Sequence, residues 1–109
     1  MRAEKTIQDI DLWEAWIDYD PSDTRFFGML YVFGEIWAGS GAVPIRLEKD
    51  KNAPNGILAL RIPERPSTRL MPVEVHYAEP VENLNQYQCI CIYSGEDLLL
   101  SFDDIEVLI

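Results

Sequence analysis

The sequence is poor in the residues that bind metals or act as nucleophiles and bases. It holds two cysteines and one histidine among 109 residues. Cys89 and Cys91 are two positions apart in a strand-like stretch, so both point to the same face, where disulfide geometry is poor. A dithiol metal site would need further ligands. We therefore interpret both cysteines as buried thiols of a reduced chain, and the sequence predicts no metal and no cofactor.

Long apolar runs are also missing. No stretch approaches the roughly 18 apolar residues of a membrane-spanning helix, and the longest candidate, 26–38, is interrupted by two glycines and Glu35. The first residues are charged and polar, without the apolar segment of a secretory signal. The sequence therefore predicts a cytoplasmic protein with no membrane partner.

Motifs for catalysis or nucleotide binding are absent from the sequence. Residues 39–41 read Gly-Ser-Gly but lack the Gly-Lys-Ser/Thr ending of a phosphate-binding loop. The acids that begin at Asp18 fail the EF-hand pattern, because its sixth position is Asp23 and its twelfth is Met29. His76 alternates with apolar neighbours and is expected at the surface. The sequence names no catalytic residue, and we interpret the protein as a non-enzyme.

Positive charge is scarce and unevenly placed in this chain, whose net charge is −10. Residues 70–109 carry eight acids and no Lys or Arg, a net of 0 − 8 = −8, whereas 46–69 carry a net of 6 − 3 = +3. A body this negative repels nucleic-acid phosphates, so no nucleic-acid partner is expected. The acid excess predicts a face for a basic protein partner, mimicry of nucleic-acid charge, or simply a solvated surface that maintains solubility. The residues of this predicted acidic face are Glu96, Asp97, Asp103, Asp104 and Glu106.

What the sequence does contain is a succession of alternating apolar segments separated by turns, after a polar lead at 1–10. Strands are predicted at about 11–19, 25–38, 43–48, 57–62, 71–78, 86–93, 98–102 and 105–109. A helix containing residues 7–17 is the alternative for the first segment, but its Trp, Ile and Tyr favour a strand. The chain, 1–109, is therefore predicted to be one all-β domain. We expect an antiparallel β-sandwich or a strongly bent barrel of six to eight strands.

Aromatic residues supply the best candidate for a recognition surface. The predicted strand 25–38 is apolar on both faces, so each face needs a cover. Trp and Tyr are favoured anchors of binding sites, although such rings also fill cores. The residues of this candidate surface are Trp13, Trp16, Tyr31, Phe33 and Trp37.

Three functional hypotheses follow from these features. The first is a non-enzymatic protein-interaction module, of the inhibitor or immunity-protein kind, for a basic partner. The second is a small-ligand β-barrel whose aromatic residues line a pocket. The third is a structural component that self-associates as a homodimer or larger homo-oligomer, through the two-sided strand or the apolar C-terminal segment.

Overall fold

The computed structural model describes residues 13–38, 45–63 and 71–108, with the backbone alone for 37, 38, 71 and 72. Within these ranges the fold is all-β and no helix is present. The described strands are β1 Glu14–Tyr19, β2 Gly28–Ala38, β3 Ile45–Arg46, β4 Glu48–Lys49, β5 Ile57–Ile62, β6 Met71–Val81, β7 Cys89–Ser94, β8 Asp97–Phe102 and β9 Glu106–Leu108. Accordingly, no helix in the described ranges is long and apolar enough to cross a membrane.

The strands form two mixed sheets in a sandwich-like arrangement that is not closed into a barrel. Sheet A has the order β3-β6-β2-β1-β9, and sheet B has the order β4-β5-β7-β8. The prediction of an all-β sandwich is confirmed in this coarser form, but the antiparallel prediction is too simple. Among the described strands, β1 with β9, β3 with β6, and β5 with β7 pair in parallel. The other four described pairs are antiparallel.

The single strand predicted at 43–48 is in fact divided at Leu47. Ile45–Arg46 pairs with β6 of sheet A, whereas Glu48–Lys49 pairs with β5 of sheet B. Leu47 is buried between them, and its N–H donates to the carbonyl of His76 at 2.8 Å. The chain thus changes sheets within one extended segment. This division gives nine strands in the described ranges instead of the predicted six to eight.

The core lies between the two sheets and is filled by alternate side chains of the facing strands. The core side chains with no exposed surface are Leu30, Val32, Leu58, Leu60, Val75, Val81, Ile90 and Ile92. Trp13, just before β1, is also buried, and its indole occupies the space where a side chain at Gly34 would lie. Because these residues point inward, the intervening residues of β1, β2 and β6 point to the outer face of sheet A.

Candidate functional site

The outer face of sheet A carries a cluster of rings that we call the aromatic face: Trp16, Tyr31, Phe33 and His76. The register places Trp16 opposite Tyr31, and Phe33 opposite His76. The Trp16 ring centroid lies 5.5 Å from that of Tyr31 and 5.4 Å from that of Phe33, on which it stacks. The Phe33 and His76 centroids are 6.3 Å apart. All four residues are half-buried, so the rings pack on one another and keep part of their surface in solvent.

Local sequence explains why these rings share one face. On β1, Ala15 and Ile17 point into the core, so Trp16 between them points outward. On β2, Leu30 and Val32 are buried, and Tyr31 between them therefore lies outside. Strand β2 is thus apolar on both faces, because aliphatic residues face the core and aromatic rings lie on the outer face.

Exposed carboxylates flank the aromatic face, and we call them the acidic rim: Glu14, Asp18, Glu35, Glu74 and Glu106. On the β3 side, the neighbour of His76 is instead the exposed Arg46. Glu14 lies opposite Phe33, and Glu106 lies next to Trp16 on the neighbouring strand β9. Glu35 and Glu74 lie directly opposite each other across β2 and β6. Like charges in this position destabilise a sheet, so a cation bound between them would relieve their repulsion.

The structure sorts the predicted recognition residues into separate places. It brings Trp16, Tyr31 and Phe33 together on the aromatic face, whereas Trp13 lies in the core at 8% exposure. The side chain of Trp37 falls outside the described residues. His76 was not predicted as part of this surface. Its alternation with the buried residues of β6 was the signal that could have placed it there.

The predicted acidic face is not one compact surface. Glu96 and Asp97 lie at the start of β8, and Asp103 and Asp104 lie just after its end. A strand of this length spans about 20 Å at ~3.3 Å per residue, so the two pairs are well separated. Glu106 instead belongs to the acidic rim, beside Trp16. All five carboxylates are exposed, as the sequence predicts.

A second polar cluster, which we call the seam cluster, consists of Lys49, Tyr77, Glu79 and Tyr87. The Glu79 side chain, 13% exposed, accepts hydrogen bonds of 2.7 Å from both tyrosine hydroxyls. Lys49 Nζ lies 3.0 Å from Glu79 Oε1 and donates to the Tyr87 hydroxyl oxygen at 2.8 Å. Because Lys49 belongs to sheet B and Glu79 to sheet A, the cluster joins the two sheets at one side of the sandwich.

The surroundings of the seam cluster raise the pKa of both Tyr77 and Lys49. Burial raises the pKa of the Tyr77 hydroxyl, and its hydrogen bond to Glu79 and the negative charge of Glu79 raise it further. Burial alone would lower the pKa of Lys49, but hydrogen bonds to Tyr87 and Glu79 outweigh that effect. The hydrogen bonds and the ion pair of the cluster hold the two sheets together at one side of the sandwich.

We expect the seam cluster to make the folding stability fall at alkaline pH. The raised pKa values mean that folded Tyr77 and Lys49 keep protons that the unfolded chain loses above about pH 10. Their stabilisation is complete below that pH and is lost as the pH rises towards the folded-state pKa values. The free energy of unfolding, measured in urea at about pH 9 and pH 11, should fall less between the two pH values for Tyr77→Phe than for the wild type.

The matched control for this experiment is Tyr93→Phe, a tyrosine outside the seam cluster. It should lose as much stability between the two pH values as the wild type does. An equal loss in wild type, Tyr77→Phe and Tyr93→Phe would show that Tyr77 contributes nothing to the alkaline dependence.

The two cysteines lie on the outer face of sheet B as free thiols. Their Sγ atoms are 3.9 Å apart, and both residues are half-buried where the sequence predicted buried thiols. Burial raises the pKa of the Cys91 thiol, and its hydrogen bond with Cys89 adds to the rise, so the Cys91 thiolate is disfavoured. No group of three or more potential metal ligands occurs in the residues that the structure describes.

Together, the fold and this surface define a class of protein: a β-sandwich that displays a half-buried aromatic face within a rim of carboxylates. Comparisons with protein-family models, with curated proteins and with solved structures gave no match. The function is therefore argued from the chemistry of this surface.

Proposed function

We propose that the protein is a non-enzymatic interaction module that binds a basic protein partner through the aromatic face. The observation that carries this proposal is the cluster of Trp16, Tyr31 and Phe33, which remains half-exposed on an open sheet surface. Aromatic residues are favoured anchors in protein interfaces. Their π faces also attract the cationic side chains of Arg and Lys.

The acidic rim supports a cationic partner in particular. Its five exposed carboxylates attract basic side chains over a distance of about 10 Å at moderate salt, which speeds association and orients the partner. Glu35 and Glu74, directly opposed across two strands, offer a place where one cation meets two carboxylates. Rings for stacking and carboxylates for ion pairing are therefore available to the same arginine or lysine.

The other sheet provides a useful contrast. On the outer face of sheet B, the chain's own Arg61 lies over the ring of Tyr93, 5.9 Å from its centroid, and donates to the carbonyl of Gly95 at 2.9 Å. In the described part of the chain, no comparable cation contact is found over Trp16 or Phe33. A cation supplied by another protein would make on the aromatic face the contact that Arg61 makes on sheet B.

The two alternative functions have weaker support. A small-ligand barrel needs aromatic rings that line an interior pocket, but Tyr31 and Phe33 lie on the outer face of an open sheet. Self-association through the aromatic face would bring two acidic rims together, and their repulsion opposes it. A basic partner avoids both difficulties.

We expect a decapeptide of alternating arginine and serine to bind at the aromatic face, and Trp16→Ala to weaken this binding by about tenfold or more. Binding can be followed by NMR titration of the backbone amides and the indole N–H groups. The peptide should shift the Trp16 indole signal and the amides of β1 and β2, and added salt should weaken the binding.

The matched control variant is Tyr93→Ala, which removes a half-buried ring from the outer face of sheet B and should keep wild-type affinity. A decapeptide of alternating glutamate and serine should not bind. Amide shifts that centre on Glu96, Asp97, Asp103 and Asp104, and that Trp16→Ala leaves unchanged, would contradict the proposal. Circular dichroism checks that each variant is folded.

A further inference from the structure

A second surface lies on β8, the edge strand of sheet B. Within the described part of the chain β8 pairs only with β7, so its opposite edge has no described strand beside it. Leu98 and Leu99 are 53% and 46% exposed, whereas Leu100 and Phe102 pack against the core. An edge strand with exposed apolar side chains is a template for pairing with another strand.

The register of β8 leaves Leu99 at the centre of this edge. Leu100 lies opposite Ile92, and Leu98 lies opposite Tyr93, so Leu99 is an extra residue without a partner on β7. In such a bulge the ladder is locally interrupted and the extra residue is left unpaired. Leu99 is therefore exposed without a partner on β7, whereas Leu98, which is also exposed, is held opposite Tyr93.

Charge marks both ends of the same strand. Glu96 and Asp97 lie at its start, Asp103 and Asp104 lie just after its end, and all four are exposed. The two pairs are about 20 Å apart along the strand. An extended segment that pairs with β8 therefore lies with each of its ends beside a pair of carboxylates.

This charge pattern argues against a second copy of the chain as the occupant. Two β8 strands related by a twofold axis would pair antiparallel. Glu96 and Asp97 of each copy would then face Asp103 and Asp104 of the other. Like charges directly opposite each other on paired strands are destabilising. If a segment of another protein carries basic residues at both ends, its contacts with these carboxylates are attractive instead.

We propose that an extended segment of another protein pairs with β8 by strand addition. The segment has about five central residues with alternating apolar side chains, and basic residues flank them at both ends. Backbone hydrogen bonds to the edge of β8 that has no described strand beside it supply affinity. Leu98 and Leu99 contact the apolar side chains, and the two acidic pairs fix the position of the segment. This site is separate from the aromatic face and does not depend on the function proposed for it.

The test uses the nonapeptide Lys-Lys-Val-Thr-Val-Thr-Val-Lys-Lys with the full chain. We expect the peptide to slow amide hydrogen exchange in β8 by about tenfold or more, as paired edge amides lose access to water. Binding of the peptide's lysines at the aromatic face is followed separately through the Trp16 indole signal, and Trp16→Ala should leave the protection of β8 unchanged. Two control peptides should give no protection: one with glutamates in place of all four lysines, and one with proline at the central valine, which removes a backbone donor.

A charge-neutralised chain provides the second arm. The double variant Asp97→Lys/Asp103→Lys leaves each acidic pair with no net charge, so it should lose the protection by the lysine-ended peptide without gaining protection by the glutamate-ended one. Both positions are exposed, and circular dichroism checks that the variant is folded. Glu48→Lys, an exposed carboxylate on β4 at the opposite edge of sheet B, is the matched control and should show the same protection of β8 as the wild type. No protection of β8, equal protection by all three peptides, or a loss in Glu48→Lys as large as in the double variant would overturn the proposal.

Discussion

Leu30→Ala in β2 and Leu60→Ala in β5 are each expected to lower the free energy of unfolding by about 2–5 kcal/mol. Both side chains are fully buried, one in each sheet, and both belong to the single cluster of core residues. Truncation removes dispersion contacts and leaves a cavity in a close-packed interior that can relax only in part. Equilibrium unfolding in urea, followed by circular dichroism and fluorescence, measures the change.

The single core adds a stricter expectation. Because the two leucines pack into one cluster between the sheets, both variants should shift the same cooperative transition. The control is Leu98→Ala, whose side chain is 53% exposed and whose loss should change the stability by no more than about 0.5 kcal/mol. Two separate transitions, each moved by only one of the core variants, would mean that the sheets do not form one cooperative unit.

Local sequence patterns predicted the strands well, because alternation reports which face of a strand is buried. The prediction of 57–62 agrees with β5 at both ends, and Leu58, Leu60 and Ile62 are buried as its alternation predicts, although Ala59 on the other face is buried too. The turn predicted at residues 94–97 joins β7 to β8, and Gly95 has the positive φ of 62° that such a turn favours. These features depend on near neighbours in the sequence.

Strand pairing could not be predicted in the same way, because it depends on contacts between distant parts of the chain. β5 and β7 are parallel neighbours in sheet B, but β6 between them in the sequence belongs to sheet A. The sequence was also interpreted as ending the strand of β6 at 78, before Pro80, although β6 continues to Val81. At Pro80, β6 pairs with Met29 of β2 on one side only, because β3 pairs β6 only at Val75 and His76. Proline is confined to edge positions of this kind, where one side of the strand has no described neighbour.

The candidate site was predictable only as a set of residue types. Aromatic content identified Trp16, Tyr31 and Phe33, but it grouped them with Trp13, which alternation along 13–17 places on the opposite side. The acidic rim was not predicted as a group, because its members come from four strands that register brings together. The seam cluster likewise required the sheet change at Leu47, which carries Lys49 to sheet B.

The contact between Trp13 and Gly34 is expected to give a strong energetic coupling. A Cβ at position 34 would overlap three atoms of the Trp13 ring, so Gly34→Ala must displace the indole. Overpacking of this kind lowers the free energy of unfolding by about 1–3 kcal/mol. Trp13→Ala, which removes a buried ring, is expected to lower it by about 3–5 kcal/mol.

The double variant Trp13→Ala/Gly34→Ala tests whether the cost of Gly34→Ala comes from its overlap with the indole or from the backbone of β2. Without the indole, the new methyl group enters empty space, so Gly34→Ala should then have little effect or fill part of the cavity. The double variant should lose about 0.5–3 kcal/mol less free energy of unfolding than the sum of the two single losses, as measured by urea unfolding. The coupling of Gly34→Ala with Leu98→Ala serves as the control and should be near zero. Additive losses for Trp13 and Gly34 would mean that glycine is required there for the backbone of β2 and not for the ring.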